Sequence, residues 1–503
     1  MKSADLILAQ IDAKSSALKE KILNSVTDVK VLGTSYFVSA DGDDANDGLT
    51  PETALVTLDG LSKVKLNPGD GVFLRRGDMW RIVNFRVPGG ITVSAYGEGA
   101  KPILSCSPMN GADPVLWSLL DGTDNVWVFA HELADCGTLD FGGGVFAYKE
   151  IPSYVDGRFV LRSDNAVAFD VTKHLSCDLA FFQNCDKVKT DAGMPKMTLD
   201  NTGKLYLRCD KGNPGKVFDS IEFHCQRNAL SMSGHTITID NLCIRHCGAH
   251  GVGAGNIMEL TVQNCEIGPL GGAIQFYNPS GSVTRYGNGV EIYGACYDYT
   301  VKNCYIHDIY DAGVTHQRKG GFSNVNLSMK SAYARPGHAV KTFETDGVLI
   351  MEKVRYIENL FERCIYSIEY FCEQGDGEDD IMRDILMEGN ICRYAGGWGW
   401  QRPDKVARHI QGGWLNVKRK YHAEDYTIRS CIFDRSIDVI LSISSTRECD
   451  LPKMEGNVYI QYGDGKMGMY GVPYDRYIPF VGEGEELLHK IDPRAQVYAA
   501  KRE

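Results

Sequence analysis

Short runs of alternating apolar and polar residues recur along the second half of the chain. Each run leads into Asn or Ser, then into an apolar residue or Cys, and then into a second β-type run. Six segments share this pattern: ITIDNLCIRHC (237–247), LTVQNCEIGPL (260–270), YTVKNCYIHDI (299–309), VRYIENLFERC (354–364), ILMEGNICRYA (385–395) and YTIRSCIFDRS (426–436). Alternation predicts strands, and their repetition at irregular spacing predicts stacked β coils with loops of variable length. We therefore predict an all-β chain folded as a right-handed parallel β-helix.

The polar residue in the middle of each repeat is predicted to form a corner between two strands. Asn tolerates the tight backbone bend of such a corner, and its side chain can hydrogen-bond to the next coil. The residues concerned are Asn241, Asn264, Asn303, Asn359, Asn390 and Ser430. We expect these residues to stack in one column, with the Cys that follows them facing inward.

The remaining segments suggest how the chain is divided. The N-terminus predicts an amphipathic helix with Leu6, Ile7, Ile11, Leu18 and Ile22 on one face. A Gly/Asp-rich turn and a Pro-Gly-Asp turn then mark the first coils. After residue 111 the β-type runs and turns no longer follow the regular spacing of the coils. We predict the following division: 1–35 N-terminal capping helix, 36–111 first coils, 112–230 inserted β-rich region or elaborated coils, 231–450 regular β-helix, and 451–503 C-terminal cap.

Length and charge narrow the classes of function. A chain of 503 residues with 43% hydrophobic residues can bury a large core. The net charge of -12 disfavours nucleic acid or an anionic membrane as partner, since both require basic surfaces. The N-terminus lacks the apolar stretch of a signal peptide. As written, the chain is expected to be cytoplasmic, or secreted if a leader has been removed. Its oligomeric state stays open.

Sixteen cysteines raise the question of disulfides or zinc. No CxxC pair occurs, and the nearest approach to metal-ligand spacing, Cys243 with His246 and Cys247, falls inside the repeat. We interpret the cysteines as buried free thiols. No metal and no cofactor are expected.

Several glycine-containing turns carry a family resemblance. NPGDGVFLRRGDMWR (67–81), GAHGVGAGN (248–256), RYGNGVEIYG (285–294) and IYDAGVTHQ (309–317) resemble bacterial right-handed parallel β-helix repeat proteins, many of them carbohydrate-active and including glycoside hydrolases. The resemblance covers about residues 36–445. It implies a carbohydrate substrate. The Asn-Thr-Asp motif of polygalacturonases and the Trp-Ile-Asp-His motif of pectate lyases are absent, so those two substrates are not implied.

Acidic residues on one outward face are the candidate catalytic groups. If Val290 and Ile292 point inward, alternation directs Glu291 outward. Glycoside hydrolysis needs two carboxyls, and we predict Glu291 with Asp311 as the leading pair. Glu369 is the reserve, and His316 is expected to tune a pKa or donate a hydrogen bond. The alternatives are a solvated strand residue for Glu291 and a turn former for Asp311.

Further polar and aromatic residues are candidate sugar ligands. Amides, cations and aromatic faces are the groups that bind sugar hydroxyls and stack on sugar C–H surfaces. The candidates are Gln275, Gln317, Arg318, Tyr370, Trp398, Trp400 and Arg402. Packing of the Trp rings on the C-terminal tail is the alternative.

Three functions fit these features. The first is a glycoside hydrolase that cleaves an oligo- or polysaccharide. The second is a polysaccharide lyase, for which Arg318, Lys319, Arg335 and Lys341 could neutralise a uronate. The third is a non-catalytic glycan-binding or tailspike-like β-helix.

Overall fold

The structure is a computed structural model of the chain. It describes residues 2–185, 189–191, 194–196, 201–277, 281–319, 328–329, 343–344, 350–373, 381–397, 406–415, 423–445, 447–471 and 476–502. All structural statements below concern these residues.

Three long sheets form the body of the molecule. Sheet I has ten strands: Ser35–Val38, Gly71–Arg75, Thr92–Tyr96, His235–Asp240, Ile257–Gln263, Cys296–Lys302, Ile350–Ile357, Ile381–Glu388, Ala423–Arg429 and Lys453–Glu455. Sheet II has eleven: Met79–Arg81, Ile103–Ser105, Cys243–Arg245, Glu266–Ile267, Tyr305–His307, Leu360–Glu362, Ile391–Ala395, Ile432–Ser436, Val458–Tyr462, Gln496–Ala500 and Lys2–Ser3. Sheet III has ten: Phe85–Pro88, Leu230–Ser233, Val252–Ala254, Val290–Ile292, Ala312–Lys319, Tyr366–Glu373, Arg408–Leu415, Val439–Ser445, Lys466–Gly471 and Ile478–Pro479.

The chain winds through the three sheets in a fixed order. One coil, for example, passes from Cys296–Lys302 in sheet I to Tyr305–His307 in sheet II and to Ala312–Lys319 in sheet III. Strands of successive coils pair in parallel, except for the last strand of sheet III. Equivalent apolar residues stack inside; one such column holds Val262, Val301, Tyr356, Met387 and Ile428, all fully buried. The predicted parallel β-helix is confirmed.

The corner between sheets I and II contains the predicted Asn stack, but only in part. Asn241, Asn264 and Asn303 follow one another at this corner with φ of 56°, 54° and 50°. In the next two coils the same position holds Glu358 and Gly389. The prediction of a single column is therefore wrong for Asn359 and Asn390, whereas Ser430, with φ of 53°, lies at the corner again as predicted.

The later Asn residues lie one position further along the chain, inside the coil. The Cys304 N–H donates to Asn359 Oδ1 at 3.0 Å, and the Asn359 N–H donates to Asn390 Oδ1 at 3.0 Å. Asn359 thus occupies the place that Cys304 has in the preceding coil. Because the amide satisfies backbone groups of neighbouring coils, it can be buried without an unpaired polar atom.

A long helix, α1 (Asp5–Leu23), confirms the helix predicted at the N-terminus. It lies along the outside of sheet II and packs its apolar face on Tyr305, Leu360, Ile391 and Ile432. The other α-helices are short: Val171–His174, Pro214–Val217 and Glu485–Ile491. Within the described residues no helix has the length and apolar character needed to cross a membrane.

The predicted inserted β-rich region leaves the coil at the corner between sheets II and III. The chain departs after Ile103–Ser105 and returns at Leu230–Ser233. Its strands form small sheets outside the coil: Trp117–Leu119, Val126–Phe129, Leu133–Ala134, Cys136–Asp140, Tyr148–Lys149, Ser153–Val155, Arg158–Leu161, Asp164–Ala168, Ala180–Gln183, Lys189–Asp191, Met194–Lys196, Thr202–Gly203, Leu205–Arg208 and Glu222–Cys225. Two of them, Lys189–Asp191 and Met194–Lys196, share a sheet with the strands Ala273–Tyr277 and Val283–Tyr286. One coil later a hairpin, Ala273–Tyr277 and Val283–Tyr286, emerges from the same corner. Both elements therefore stand beside the start of sheet III.

Thirteen of the fifteen cysteines whose side chains are described are buried, and none of these fifteen forms a disulfide bond. Cys177 and Cys449 are exposed. Several of the buried thiols face the core, as Cys265 and Cys304 do. The recurring Cys of the repeat is therefore a small core residue, in line with the interpretation of the sequence.

Candidate functional site

A ladder of polar side chains marks the start of sheet III. The His250 N–H donates to Asn228 Oδ1 at 3.1 Å, the Asn288 N–H donates to His250 Nδ1 at 3.1 Å, and the Ala312 N–H donates to Asn288 Oδ1 at 2.7 Å. Each side chain thus accepts a bond from the backbone of the next coil. Because Nδ1 of His250 is an acceptor, its ring proton lies on Nε2.

Glu291 lies on the outer face of sheet III, next to this ladder. Its Oε2 accepts hydrogen bonds from Asn288 Nδ2 at 2.5 Å and from Thr315 Oγ1 at 2.7 Å. Gln317 Nε2 lies 3.2 Å from both carboxylate oxygens. The side chain is only 7% exposed. Since the donors are neutral groups held by the sheet, they fix the orientation of the carboxylate.

Glu291 belongs to an outward column that continues along the sheet. Strand pairing places Glu291 beside Thr315, Thr315 beside Glu369, and Glu369 beside Gln411. Glu369 is therefore two strands from Glu291, which corresponds to about 10 Å between backbones. Arg408 extends the polar strip, since its Nη1 donates to Gln411 Oε1 at 2.5 Å. The outer face of sheet III thus carries two carboxylates, two amides and a guanidinium.

Asp311 precedes the strand that carries Thr315 and adds a further carboxylate near the ladder. Its backbone N–H donates to the Gly287 carbonyl at 3.1 Å, which sets it beside the coil of Glu291. Burial lowers the pKa of His250, while the charges of Glu291 and Asp311 oppose that shift. His250 is therefore a neutral imidazole that lies within the fields of both carboxylates.

The inserted region and the hairpin cover one side of the group formed by His250, Glu291 and Asp311. The Tyr286 ring of the hairpin meets the His250 ring edge to face, with centroids 5.1 Å apart. Gln226, at the end of the inserted region, donates from Nε2 to the Tyr286 hydroxyl at 3.0 Å. Burial raises the pKa of Tyr286 to about 12. The phenol therefore stays protonated and can serve as a neutral hydrogen-bonding group.

Of the predicted catalytic and binding residues, the structure brings Glu291, Asp311, Glu369 and Gln317 to this face. His316 and Tyr370 are not on it, contrary to the prediction. Both are fully buried in the coil, where their rings stack with centroids 5.4 Å apart. Alternation explains the difference: because Thr315 and Gln317 point outward, His316 between them must point inward.

Buried His316 makes the stability of the coil sensitive to acid. Its Nδ1 is 2.8 Å from the Tyr356 hydroxyl, and burial lowers its pKa to about 3. An unfolded His has a pKa of about 6.5. Between these two pH values His316 is protonated in the unfolded chain and neutral in the folded chain. The free energy of unfolding therefore falls as the pH drops from about 6.5 towards 3. The slope is at most about 1.4 kcal/mol per pH unit.

We expect His316→Phe combined with Tyr356→Phe, which removes both partners of the hydrogen bond, to make this pH dependence shallower by about that slope. The measurement is the free energy of urea unfolding between about pH 5 and 6.5, where few carboxylates titrate. His235→Gln, a change of a partly exposed His on sheet I, is the control. Equal slopes in the double variant and the parent would contradict the assignment.

Gln275 is the third predicted residue that the structure places elsewhere. It is exposed on the hairpin strand Ala273–Tyr277, which pairs antiparallel and does not belong to sheet III. The prediction that it occupies the coil before His316 is wrong, because the hairpin interrupts the repeat. The side chain of Arg318 and the residues Trp398, Trp400 and Arg402 lie outside what the structure describes, as do Arg335 and Lys341 and the side chain of Lys319.

Sequence reasoning missed His250, Asn288 and Thr315. A signal for the first two exists. His250-Gly251-Val252, Asn288-Gly289-Val290 and Ala312-Gly313-Val314 share one pattern, and the three Val residues pair with one another in sheet III. Aligning the repeats on this Gly-Val pair, rather than on the Asn corner alone, places His250 and Asn288 in one column and Thr315 beside Glu291.

Other cavities offer weaker candidates. A cavity of about 680 Å³ lies beside the last coil, but the carboxylate of its Asp492 accepts bonds from three N–H donors of that coil. A cavity of about 350 Å³ lies between sheets II and III and contains Arg363 and Arg435. These guanidinium groups are already paired with Asp308 and Asp434. Asp492, Arg363 and Arg435 therefore stabilise the fold at these two places.

No family model and no curated protein matches the chain. Solved structures do match over most of its length. A complex of XylC with xylose has 12% identity and a TM-score of 0.41, covering 93% of this chain and 83% of the other. A structure described as a glycoside hydrolase has 10% identity and a TM-score of 0.43, covering 93% and 97%. A GH136 lacto-N-biosidase from Eubacterium ramulus has 14% identity and a TM-score of 0.34, covering 93% and 67%. These values are too low to assign an activity, and the fold is defined by the strand pairing itself.

Proposed function

We propose that this chain is a carbohydrate-active enzyme, and specifically a glycoside hydrolase in which Glu291 is one of two catalytic carboxyl groups. The observation that carries the proposal is the setting of Glu291: an outward-facing carboxylate, nearly buried, oriented by Asn288, Thr315 and Gln317. A carboxylate that only served solubility would not require three neutral donors. Such a preorganised group is typical of a site that acts on a ligand.

The roles of the residues follow from their partners. Glu291 accepts hydrogen bonds from Asn288, Thr315 and Gln317, an arrangement that suits the role of base or nucleophile. Asp311 is the proposed acid partner, with Glu369 as the reserve. If Glu291 acts as base, its partner must leave room for a water molecule, with a carboxyl separation of about 6.5–9.5 Å; a nucleophile requires about 5 Å.

The imidazole, amide and guanidinium groups around the carboxyls are proposed to hold the sugar. The Nε2–H of His250 can donate to a hydroxyl or to the leaving oxygen, and its neutral state avoids a charge that would pair permanently with Glu291. The amide of Gln411 and the guanidinium of Arg408 extend the same face and suit a substrate of more than one sugar unit. A carbohydrate is therefore the proposed partner.

A substrate screen tests the proposal. The protein is incubated with a panel of neutral and uronate-containing oligosaccharides, and released reducing ends are measured together with near-ultraviolet absorbance. We expect reducing ends without an unsaturated product, and we expect Glu291→Gln to abolish them while Glu424→Gln, a change of an exposed carboxylate on sheet I, does not. An unsaturated product would establish the lyase alternative. Glycan binding without cleavage would establish a binding protein.

A further inference from the structure

A second cluster of chemically competent side chains lies at the corner where the inserted region leaves the coil. Asp140, His224 and His246 each offer one ligand atom, and these atoms all lie within 4.8 Å of one another. Asp140 ends the inserted strand Cys136–Asp140, and His224 lies on Glu222–Cys225, which pairs with it. His246 directly follows the sheet II strand Cys243–Arg245. We propose that these three side chains bind a zinc ion, which ties the inserted region to the β-helix.

The set of donors fits this metal. Two imidazoles and one carboxylate are common ligands of Zn²⁺. His246 Nε2 lies 3.6 Å from Asp140 Oδ2. Two ligands of a tetrahedral zinc ion, each about 2.0–2.1 Å from the metal, lie about 3.3 Å apart. A small adjustment of side chains would therefore close the site, with water as the fourth ligand.

The surroundings orient the ligands. Ser105 Oγ lies 2.9 Å from His246 Nδ1, so the hydroxyl can accept a hydrogen bond from Nδ1–H, which leaves the lone pair of Nε2 directed towards the cluster. The Gly142 N–H donates to Asp140 Oδ1 at 2.7 Å, which leaves Oδ2 for the metal. Ser105 thus provides the outer contact that metal-binding histidines usually make.

Protein encloses the ligand atoms almost completely. His224 is fully buried, and the side chains of His246 and Asp140 are 9% and 13% exposed. The nearby Arg245 guanidinium is engaged by Cys243 Sγ at 2.9 Å and by Glu266 at 3.3 Å.

The site is separate from the proposed catalytic face. Its ligands come from the inserted region and from the end of a sheet II strand, and none of them belongs to the ladder of Asn228, His250 and Asn288. Because the two strands of the inserted region supply two ligands and the coil supplies the third, the ion would act as a clamp. Its role is structural and does not depend on the proposed hydrolase activity.

Metal binding by the intact chain tests this inference. The purified protein is stripped with a chelator, desalted and titrated with Zn²⁺ alone by calorimetry. Cys177→Ser/Cys449→Ser is titrated in parallel, because the two exposed thiols are competing ligands. We expect one equivalent to bind in both proteins, to raise the thermal midpoint of unfolding, and to be replaceable by Co²⁺ with a visible absorption band.

The Zn²⁺ affinity of variants shows which residues contribute to the site. Ser105→Ala is expected to weaken Zn²⁺ binding by about 10- to 100-fold, and His246→Gln is expected to weaken it further, while His235→Gln leaves it unchanged. Ser105→Ala removes one hydroxyl and keeps all three ligands, so it tests the site even if His246→Gln does not fold. Failure of the parent to bind one equivalent, or equal binding by Ser105→Ala, would overturn the inference and leave Asp140, His224 and His246 as a metal-free polar cluster.

Discussion

Replacing Glu291 by Gln is expected to lower kcat by about 10²- to 10⁴-fold, the contribution of one positioned acid or base. The amide cannot act as base or nucleophile, and it presents an NH₂ group to donors that now bond to a carboxylate. Asp311→Asn should reduce kcat to a similar extent if Asp311 is the acid. The measurement is turnover of the substrate that the screen identifies, with folding checked by circular dichroism and thermal unfolding.

The control for this prediction is chemical rescue. Glu291→Ala leaves a cavity that azide or formate can enter, so either ion should restore part of the turnover if Glu291 supplies the negative charge. A purely structural role would not respond to the added anion. Turnover near that of the parent in Glu291→Gln would contradict the assignment. A loss in Glu369→Gln without one in Asp311→Asn would transfer the role of acid to Glu369.

The second large effect concerns a buried ion pair within the inserted region. Lys149 and Asp135 are each almost completely buried and in direct contact. Lys149 also donates to the Cys136 carbonyl at 2.6 Å, and the Ile274 N–H of the hairpin donates to Asp135 Oδ2 at 2.6 Å. Lys149→Met should destabilise the protein by about 3–5 kcal/mol, because it leaves a buried carboxylate with no cation.

A companion variant isolates the cause of that loss. Lys149→Met combined with Asp135→Asn removes the charge but keeps an acceptor for the Ile274 N–H, so it should recover most of the stability. Lys173→Met, which breaks an exposed pair with Asp170, should cost less than about 1 kcal/mol. Denaturant unfolding and limited proteolysis of the inserted region measure these effects. Equal stability of Lys149→Met and the parent would refute the prediction.

The repeat determined how much of the fold could be predicted. Alternation and recurrence of the Asn-Cys corner identify the coils, because inward residues must be apolar wherever a strand covers the core. The hairpin that carries Gln275 could not be predicted, since nothing local distinguishes an antiparallel excursion from another coil. The inward position of Asn359 and Asn390 could not be predicted for a related reason. An amide and a thiol can occupy the same inward position when neighbouring backbones satisfy the amide.

The candidate site was predictable to the extent that alternation alone decides it. Glu291 between Val290 and Ile292 faces outward whatever the neighbouring coils do. His316 required the register as well: once Thr315 pairs beside Glu291, the imidazole must turn inward. The sequence around His250 contains no candidate catalytic carboxylate, so nothing local marks this residue as part of a site. Its place beside Glu291 depends on contacts between residues 38 positions apart.

Helix α1 changes how a solenoid of this kind should unfold. Coils of a solenoid normally contact only their neighbours, so unfolding can begin at an end and advance one repeat at a time. Here the helix runs the other way along the stack: Ala4 bonds to Ala499, Asp12 contacts Arg393, Lys19 reaches Tyr305, and Ser25 bonds to Asn241. When the last coil unfolds, helix α1 loses contacts that also hold it on much earlier coils. The helix therefore couples distant repeats and makes unfolding from the C-terminal end a cooperative event.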